Sequence, residues 1–351
     1  MKTKILFTLT LQFLLLNGIV YSQVNLPNGV VLPDNIVDAN CYVSPPAQKW
    51  EIGEIDNTLG SIFSTVHIPL VGDIDDDGSP EIILLGENYD TKKTIYIIDG
   101  KELTIKKSFD IDDGYHGVNP MFAIGKVQWT SGTYQNIIVT MSSYTKKLYA
   151  YSPDGTKLWT SDADYYSNHT RIGAAVQIVD LDGDGWVEIV AGNKVYAAES
   201  GKLLCEAGSY NGYIQGWLNN QRYLIQSMTG SILDNGKQQI CIGNTIYDVT
   251  INNRNGTSLN TMSLVKTFTP QVWNGTTNET VTSGDGAVQL IDLDLDGSLD
   301  VVVSTVIRDE TVKTNSIFYM YVYSYKKDKI IATDLDGETR KYSYSGNRLA
   351  D

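Results

Sequence analysis

Three stretches of the chain are written to one template: V-G-D-I-D-D-D-G-S-P-E-I-I-L-L at residues 71–85, I-V-D-L-D-G-D-G-W-V-E-I-V-A at 178–191, and L-I-D-L-D-L-D-G-S-L-D-V-V-V-S at 290–304. Each runs from a short apolar segment through an acid-rich turn into a second apolar segment, which is the pattern of two strands joined by a loop. A repeated unit constrains a fold more than any local propensity, because each copy must bury its apolar face against its neighbours. Between Asp73, Asp180 and Asp292 the steps are 107 and 112 residues, about twice a unit of ~40–50 residues. A degenerate copy is therefore expected inside each gap, and both gaps hold one. F-A-I-G-K-V (122–127), a polar turn and Q-N-I-I-V-T (135–140) keep the strand-loop-strand shape without the acids. S-I-L-D-N-G-K-Q-Q-I-C-I (231–242) keeps the glycine and one displaced Asp.

After each loop the second strand is followed by an aromatic third strand, a D-G or S-G turn and a fourth, as in K-L-Y-A-Y-S-P-D-G-T-K-L-W-T (147–160) and K-V-Y-A-A-E-S-G-K-L-L-C-E (194–206). Alternating apolar residues around such turns mark β-hairpins. Five units begin near residues 70, 122, 177, 231 and 289. The spacing predicts an all-β chain, a β-propeller of four-stranded antiparallel blades with a blade number of five to seven. Residues 61–333 carry the repeats; residues 23–60 form an N-terminal segment in which Ala47 to Ile55 resembles a fourth strand able to complete a blade, and 334–351 are a polar tail or a truncated blade.

Each acid-rich loop puts carboxylates at positions 1, 3, 5 and 9 and Gly at position 6. The sets are Asp73, Asp75, Asp77 and Glu81 around Gly78; Asp180, Asp182, Asp184 and Glu188 around Gly185; Asp292, Asp294, Asp296 and Asp300 around Gly297. Alternate acids on a tightly curled loop converge on one centre, and hard oxygen donors in that number suit Ca²⁺ better than Mg²⁺ or zinc. An EF-hand begins the same way but needs an acid at position 12 and flanking helices. Position 12 is here Leu84, Ala191 or Val303, each followed by strand formers, so the expectation is three calcium-binding hairpins. No His, Lys or Tyr recurs at a fixed offset in the loops, which favours a structural over a catalytic ion.

This pattern resembles the FG-GAP or VCBS repeats, the integrin-α-like propeller repeats, over residues 60 to 330. The resemblance implies a calcium-stabilised extracellular propeller used in adhesion or ligand binding. The loops are also similar to the D-x-D-G-D-G loops of rhamnogalacturonan lyase propellers, which implies the alternative of a polysaccharide lyase with a basic cleft. Lys and Arg are scattered along this sequence. A third reading is a scaffold segment of a larger surface protein.

Lys2 and Lys4 followed by the apolar run Ile5 to Val20 predict a signal peptide over 1–22, cleaved between Ser22 and Gln23, and hence a secreted or cell-surface protein with no membrane span after cleavage. The formal charge of −14 argues against a nucleic-acid partner, since phosphates need a basic footprint. Three cysteines make no disulfide framework; Cys205 and Cys241 can either pair or remain buried thiols, and Cys41 has no assigned role. His67, His116 and His169 each precede a unit, a placement compatible with a channel-mouth cluster or with ordinary hydrogen-bonding histidines. The sequons at Asn168, Asn255, Asn274 and Asn278 mark polar loops.

In a four-stranded antiparallel blade the loop from strand one to strand two lies at one end, and the passage from strand four to the next blade lies at the other. Those passages are rich in aromatics, Asn, Asp and Gly: 110–119, 162–171, 208–217 and 270–280. Rings and amides mounted this way suit a glycan or an extracellular protein ligand, or pack between blades. The candidates for a ligand face are Tyr115, His116, Tyr165, Tyr166, His169, Tyr213, Trp217 and Trp273.

Overall fold

The computed structural model describes residues 12–14, 19–21, 69–87, 93–111, 122–142, 145–165, 176–207, 213–215, 222–224, 227–268, 271–273, 278–280, 286–307 and 317–333. The chain separates into two compact units, Met1–Gly60 and Ser61–Asp351. In the first, Gln12–Leu14 pairs antiparallel with Ile19–Tyr21. Among the described residues no helix is long and apolar enough to cross a membrane.

Among the described residues the second unit carries five four-stranded sheets in sequence order. Blade I is β1 (Leu70–Gly72), β2 (Glu81–Glu87), β3 (Lys93–Asp99) and β4 (Ile105–Ile111). Blade II is β5 (Phe122–Gln128), β6 (Tyr134–Met141), β7 (Leu148–Tyr151) and β8 (Lys157–Thr160). Blade III is β9 (Val176–Val179), β10 (Glu188–Ala191), β11 (Lys194–Ala197) and β12 (Leu203–Glu206). Blade IV is β13 (Ser227–Gly230), β14 (Gln239–Ile242), β15 (Thr245–Thr250) and β16 (Thr261–Thr267). Blade V is β17 (Gly286–Ile291), β18 (Asp300–Ile307), β19 (Ile317–Ser324) and β20 (Lys329–Thr333). Every neighbouring pair within a blade is antiparallel.

The middle strands of blades II, III and IV are apolar on both faces because each of these blades is covered on both sides. Of β6, Ile137, Val139 and Met141 enter the core shared with blade III, whereas Ile138 enters the core shared with blade I. Likewise Ile240 and Ile242 face blade III and Cys241 faces blade V. Four separate cores thus fill the four junctions between successive blades. Period-two side-chain alternation with two buried faces produces the unbroken apolar runs of the sequence. The first strands of consecutive blades lie against one another, so they form the inner wall and the sheets radiate from it. This is the β-propeller arrangement.

Small residues set the spacing of that wall. A Cβ added to Gly72 would stand 2.9 Å from Ile124 Cδ1, one on Gly125 3.0 Å from Ile178 Cγ2, and one on Gly230 2.7 Å from Leu290 Cδ1. At each of these junctions a first-strand glycine yields to a large side chain from the next first strand.

Two passages expected as plain loops contain short antiparallel pairs: Tyr213–Gln215 with Arg222–Leu224, and Gln271–Trp273 with Asn278–Thr280. Cys205 and Cys241 are both buried. They cannot bridge, because Cys205 sits in the core between blades III and IV and Cys241 in the core between blades IV and V. Burial pushes the Cys205 thiol up to about 12, as expected of an inert structural cysteine.

Candidate metal centres

The acidic loops join the first and second strands of blades I, III and V, and their shape is fixed by their own side chains. The position-1 acid accepts two backbone N–H groups across the turn: Asp73 from Asp77 (3.1 Å) and Gly78 (2.9 Å), Asp180 from Gly183 (2.8 Å) and Gly185 (3.0 Å), Asp292 from Asp296 (3.0 Å) and Gly297 (2.9 Å). The position-5 acid accepts the N–H two residues on, at Ser79 (2.8 Å), Trp186 (2.7 Å) and Ser298 (3.1 Å). Positions 4 and 6 are left-handed in every copy. Position 6 is always Gly, with φ of 87° to 88°, while position 4 is Asp76, Gly183 or Leu295 with φ of 61°, 78° and 57°. The glycine is needed because a side chain there is strained.

The position-9 carboxylate is the buried end of each site. Glu81, Glu188 and Asp300 are all 0% exposed. One oxygen of each accepts the position-2 N–H, from Ile74 (3.0 Å), Leu181 (3.0 Å) and Leu293 (3.1 Å). The partner of the other oxygen differs from loop to loop. In loop one, Glu81 Oε1 accepts from Lys106 Nζ at 2.9 Å. In loop two, Glu188 Oε1 is paired with Arg254 Nη1. In loop three, Asp300 Oδ1 is buried with no hydrogen-bond partner.

Ligand oxygens of Asp73, Asp75 and Glu81, of Asp180, Asp182 and Glu188, and of Asp292, Asp294 and Asp296 each lie within 4.8 Å of one another. Each of these three groups can hold a metal ion. Like charges about 4 Å apart repel by roughly 4 kcal/mol at an effective dielectric of ~20, so a cation placed among them relieves that repulsion. The orphaned Asp300 oxygen, with the pure oxygen donor set, fits a hard divalent ion. Burial acts in the same sense in loop two: it raises the Asp182 carboxyl and pushes Glu188 up to about 7 against the pull of Arg254. Position 12 is a buried strand residue in every copy, Leu84, Ala191 and Val303, and cannot act as the twelfth-position ligand of an EF-hand.

The degenerate loop of blade IV shows what the same hairpin becomes without its charge. Asp234 and Gly236 keep the left-handed positions 4 and 6, and Asn235 caps Lys237 N at 3.1 Å. Position 9 is Gln239, 0% exposed. Its Oε1 accepts from Ile232 N at 2.9 Å, while its Nε2 donates to Asn235 Oδ1 and Asp248 Oδ1, both at 3.1 Å. The amide supplies both the acceptor and the positive end. In blade II the loop is a tight hairpin in which Trp129 N donates to Thr133 O at 2.8 Å. Its Asn136 instead supports loop one, donating to Ile74 O at 2.9 Å.

The basic partners were missing from the sequence reading. The turn from third to fourth strand lies at the same end of a blade as the acidic loop, so Lys106, Lys326 and Lys327 are near their loops by topology. Lys327 Nζ is paired with Asp294 and lies 3.3 Å from Asp296; Lys326 donates to Asp296 O at 2.9 Å. Arg254 comes from the following blade. Its loop, 251–260, is braced by Asn260, which accepts from Asn252 N (2.8 Å) and Asn253 N (2.9 Å) and donates to Leu204 O at 3.1 Å. No local pattern marks such a residue.

Of the expected ligand-face residues, Tyr165 is 1% exposed and belongs to the core between blades II and III. It fills a junction, so it is removed from the exposed face. Tyr213 and Trp273 lie in the short inter-blade strands. Tyr115, His116, Tyr166, His169 and Trp217 lie outside the described residues, as do His67 and Cys41.

The fold and loops together define a β-propeller with three acidic, metal-competent hairpins. No family model matches the chain, and no curated protein sequence matches it. Among solved structures it is similar to the V. cholerae biofilm matrix protein Bap1, with a TM-score of 0.47 and 17% identity over 78% of this chain and 40% of that one. It is also similar to the Pseudomonas aeruginosa PilY1 C-terminal domain, with a TM-score of 0.42 and 11% identity over 74% of this chain and 60% of that one. A third likeness is to the WD40 domain of SCAP from fission yeast, with a TM-score of 0.29 and 11% identity over 76% and 64%. The chain thus spans 40%, 60% and 64% of the three matched structures.

Proposed function

We propose that this chain is a calcium-stabilised propeller of the extracellular space or cell surface, related to the FG-GAP or VCBS repeats, that serves as an adhesion or ligand-recognition module. The observation that carries the reading is the recurrence of one acid set on three blades, each with its position-9 carboxylate fully buried. Such a group is tolerated only when a cation completes it. Calcium suits the donor number and the loose geometry of a curled loop. The ion's role is structural: Asp73, Asp180 and Asp292 tie the first strand to the turn, and the position-9 acid ties the turn to the second strand. Recognition is assigned to the opposite end of the blades, where the aromatic inter-blade passages emerge, and the ligand class is a glycan or an extracellular protein. The test is a thermal melt in EDTA and in millimolar calcium. Each site near saturation adds roughly 1 kcal/mol by mass action, so calcium should raise the melting temperature. Identical melts in the two buffers would sink the calcium reading.

A further inference from the structure

We infer that Lys106 is the resident cation of the first acidic loop and the residue that decides whether a metal enters it. The inference rests on the calcium reading above and makes the three loops unequal. Lys106 Nζ lies 2.7 Å from Asp75 Oδ2, 2.9 Å from Asp77 Oδ2 and 2.9 Å from Glu81 Oε1. Those are loop positions 3, 5 and 9, the carboxylates a bound ion would bridge. An ammonium has three protons, and here each has a carboxylate acceptor. The lysine therefore neutralises the cluster and satisfies the buried Glu81 oxygen at once.

Blades III, IV and V place no cation at the strand position of Lys106. In the pairing of third and fourth strands, Ile98 faces Ile105, Tyr196 faces Leu203, Tyr247 faces Leu264 and Tyr323 faces Ile330. The next residue is Lys106 in blade I, and Leu204, Val265 or Ile331 in blades III, IV and V. Loop two receives Arg254 at Glu188, which leaves Asp182 Oδ1 without a hydrogen-bond partner. Loop three receives Lys327 at Asp294 and Asp296, which leaves Asp300 Oδ1 without one. Loops two and three keep a buried acceptor for a metal; loop one does not. Any ion entering loop one must first expel a tethered competitor. A loop held by its lysine ~90% of the time binds about tenfold more weakly than a free one.

Calcium titration of the full chain by calorimetry tests this with four proteins: wild type, K106M, D75A and the double variant. The expected result is that D75A alone leaves the wild-type isotherm unchanged. K106M adds a site or tightens one by about tenfold, and D75A in the K106M background removes that gain. In EDTA, K106M should melt below wild type and recover in calcium; folding of K106M only when calcium is present counts as the same result. If K106M fails to fold even with calcium, K106Q takes its place. The inference is overturned if D75A alone removes a wild-type site while K106M leaves affinity unchanged; that outcome leaves the calcium reading standing. Absence of calcium binding in every variant overturns both.

Discussion

Replacing Arg254 with Ala should damage the protein more than any surface substitution. The side chain is 18% exposed and its guanidinium reaches four acceptors: Glu188 Oε1, Glu199 Oε1 at 3.0 Å, Glu199 Oε2 at 2.9 Å and Val187 O at 2.9 Å. It also lies 5.3 Å from the centre of the Trp186 ring. Because Arg254 belongs to blade IV and its partners to blade III, it clamps two blades. Its removal strands Glu188, with a side chain 0% exposed, and Glu199, 7% exposed. Breaking a buried pair from one side costs about 3–5 kcal/mol, most of it from the uncompensated charge left behind. Urea denaturation in EDTA near pH 8 measures this directly. The penalty should shrink in acid. Burial already pushes Glu188 up to about 7, and losing Arg254 raises it further. A folded-state pKa above the unfolded one means the native state binds the extra proton, so that group's contribution is present at low pH and lost as pH rises through the folded value. The variant should therefore recover toward wild type between about pH 8 and pH 5. The second change Glu188→Gln, which copies the Gln239 arrangement, should recover part of the loss at high pH. A penalty below about 1 kcal/mol that does not vary with pH would refute the clamp, since that is the size of an exposed pair.

Gly201→Ala should destabilise by about 2–4 kcal/mol in the same assay, the sum of a left-handed residue and an overpacked contact. Gly201 has φ of 70°, and its Cβ would stand 2.5 Å from Trp159 Cε3, in a ring pinned by Nε1 donating to Ala198 O at 3.0 Å. Thiol labelling of the native protein should leave Cys205 and Cys241 unmodified until denaturant is added, because both are buried on opposite sides of blade IV; rapid native labelling of either, read by peptide mass, would contradict the two-core placement.

The fold was legible because the acid-rich loops served as rulers. Once Asp73, Asp180 and Asp292 fixed the period, the neutral copies at Phe122 and Ser231 followed, and the strand pairs fell where alternation placed them. The acids that converge were named from the sequence for the same reason, since their spacing is set by the turn, although in loop three the group is Asp292, Asp294 and Asp296 and leaves out Asp300. Three features were not legible. Tyr165 looked like part of an aromatic passage, but its side chain points into a junction, and side-chain direction in an irregular segment has no period to read. The separation of Cys205 from Cys241 depends on which face of a strand each occupies relative to blade IV, which needs the register. Arg254 acts across 66 residues of sequence on Glu188, through an Asn-braced loop whose shape no hydrophobic pattern announces.

The glycines of the inner wall carry a consequence for how such a chain can grow or be rebuilt. Gly72, Gly125 and Gly230 are sockets, and Ile124, Ile178 and Leu290 are the knobs that enter them. Blade III differs: by register with Glu188, the residue standing where blades I and IV have glycine is Val179, and the first strand of blade IV offers Thr229 at the corresponding knob position, by register with Ile240. The blades are therefore not interchangeable cassettes. A duplicated blade II would find a matching socket after blade I but would drive Ile124 against Val179 if placed after blade III. The order of the blades is encoded locally, one junction at a time, by the volume exchanged between neighbours.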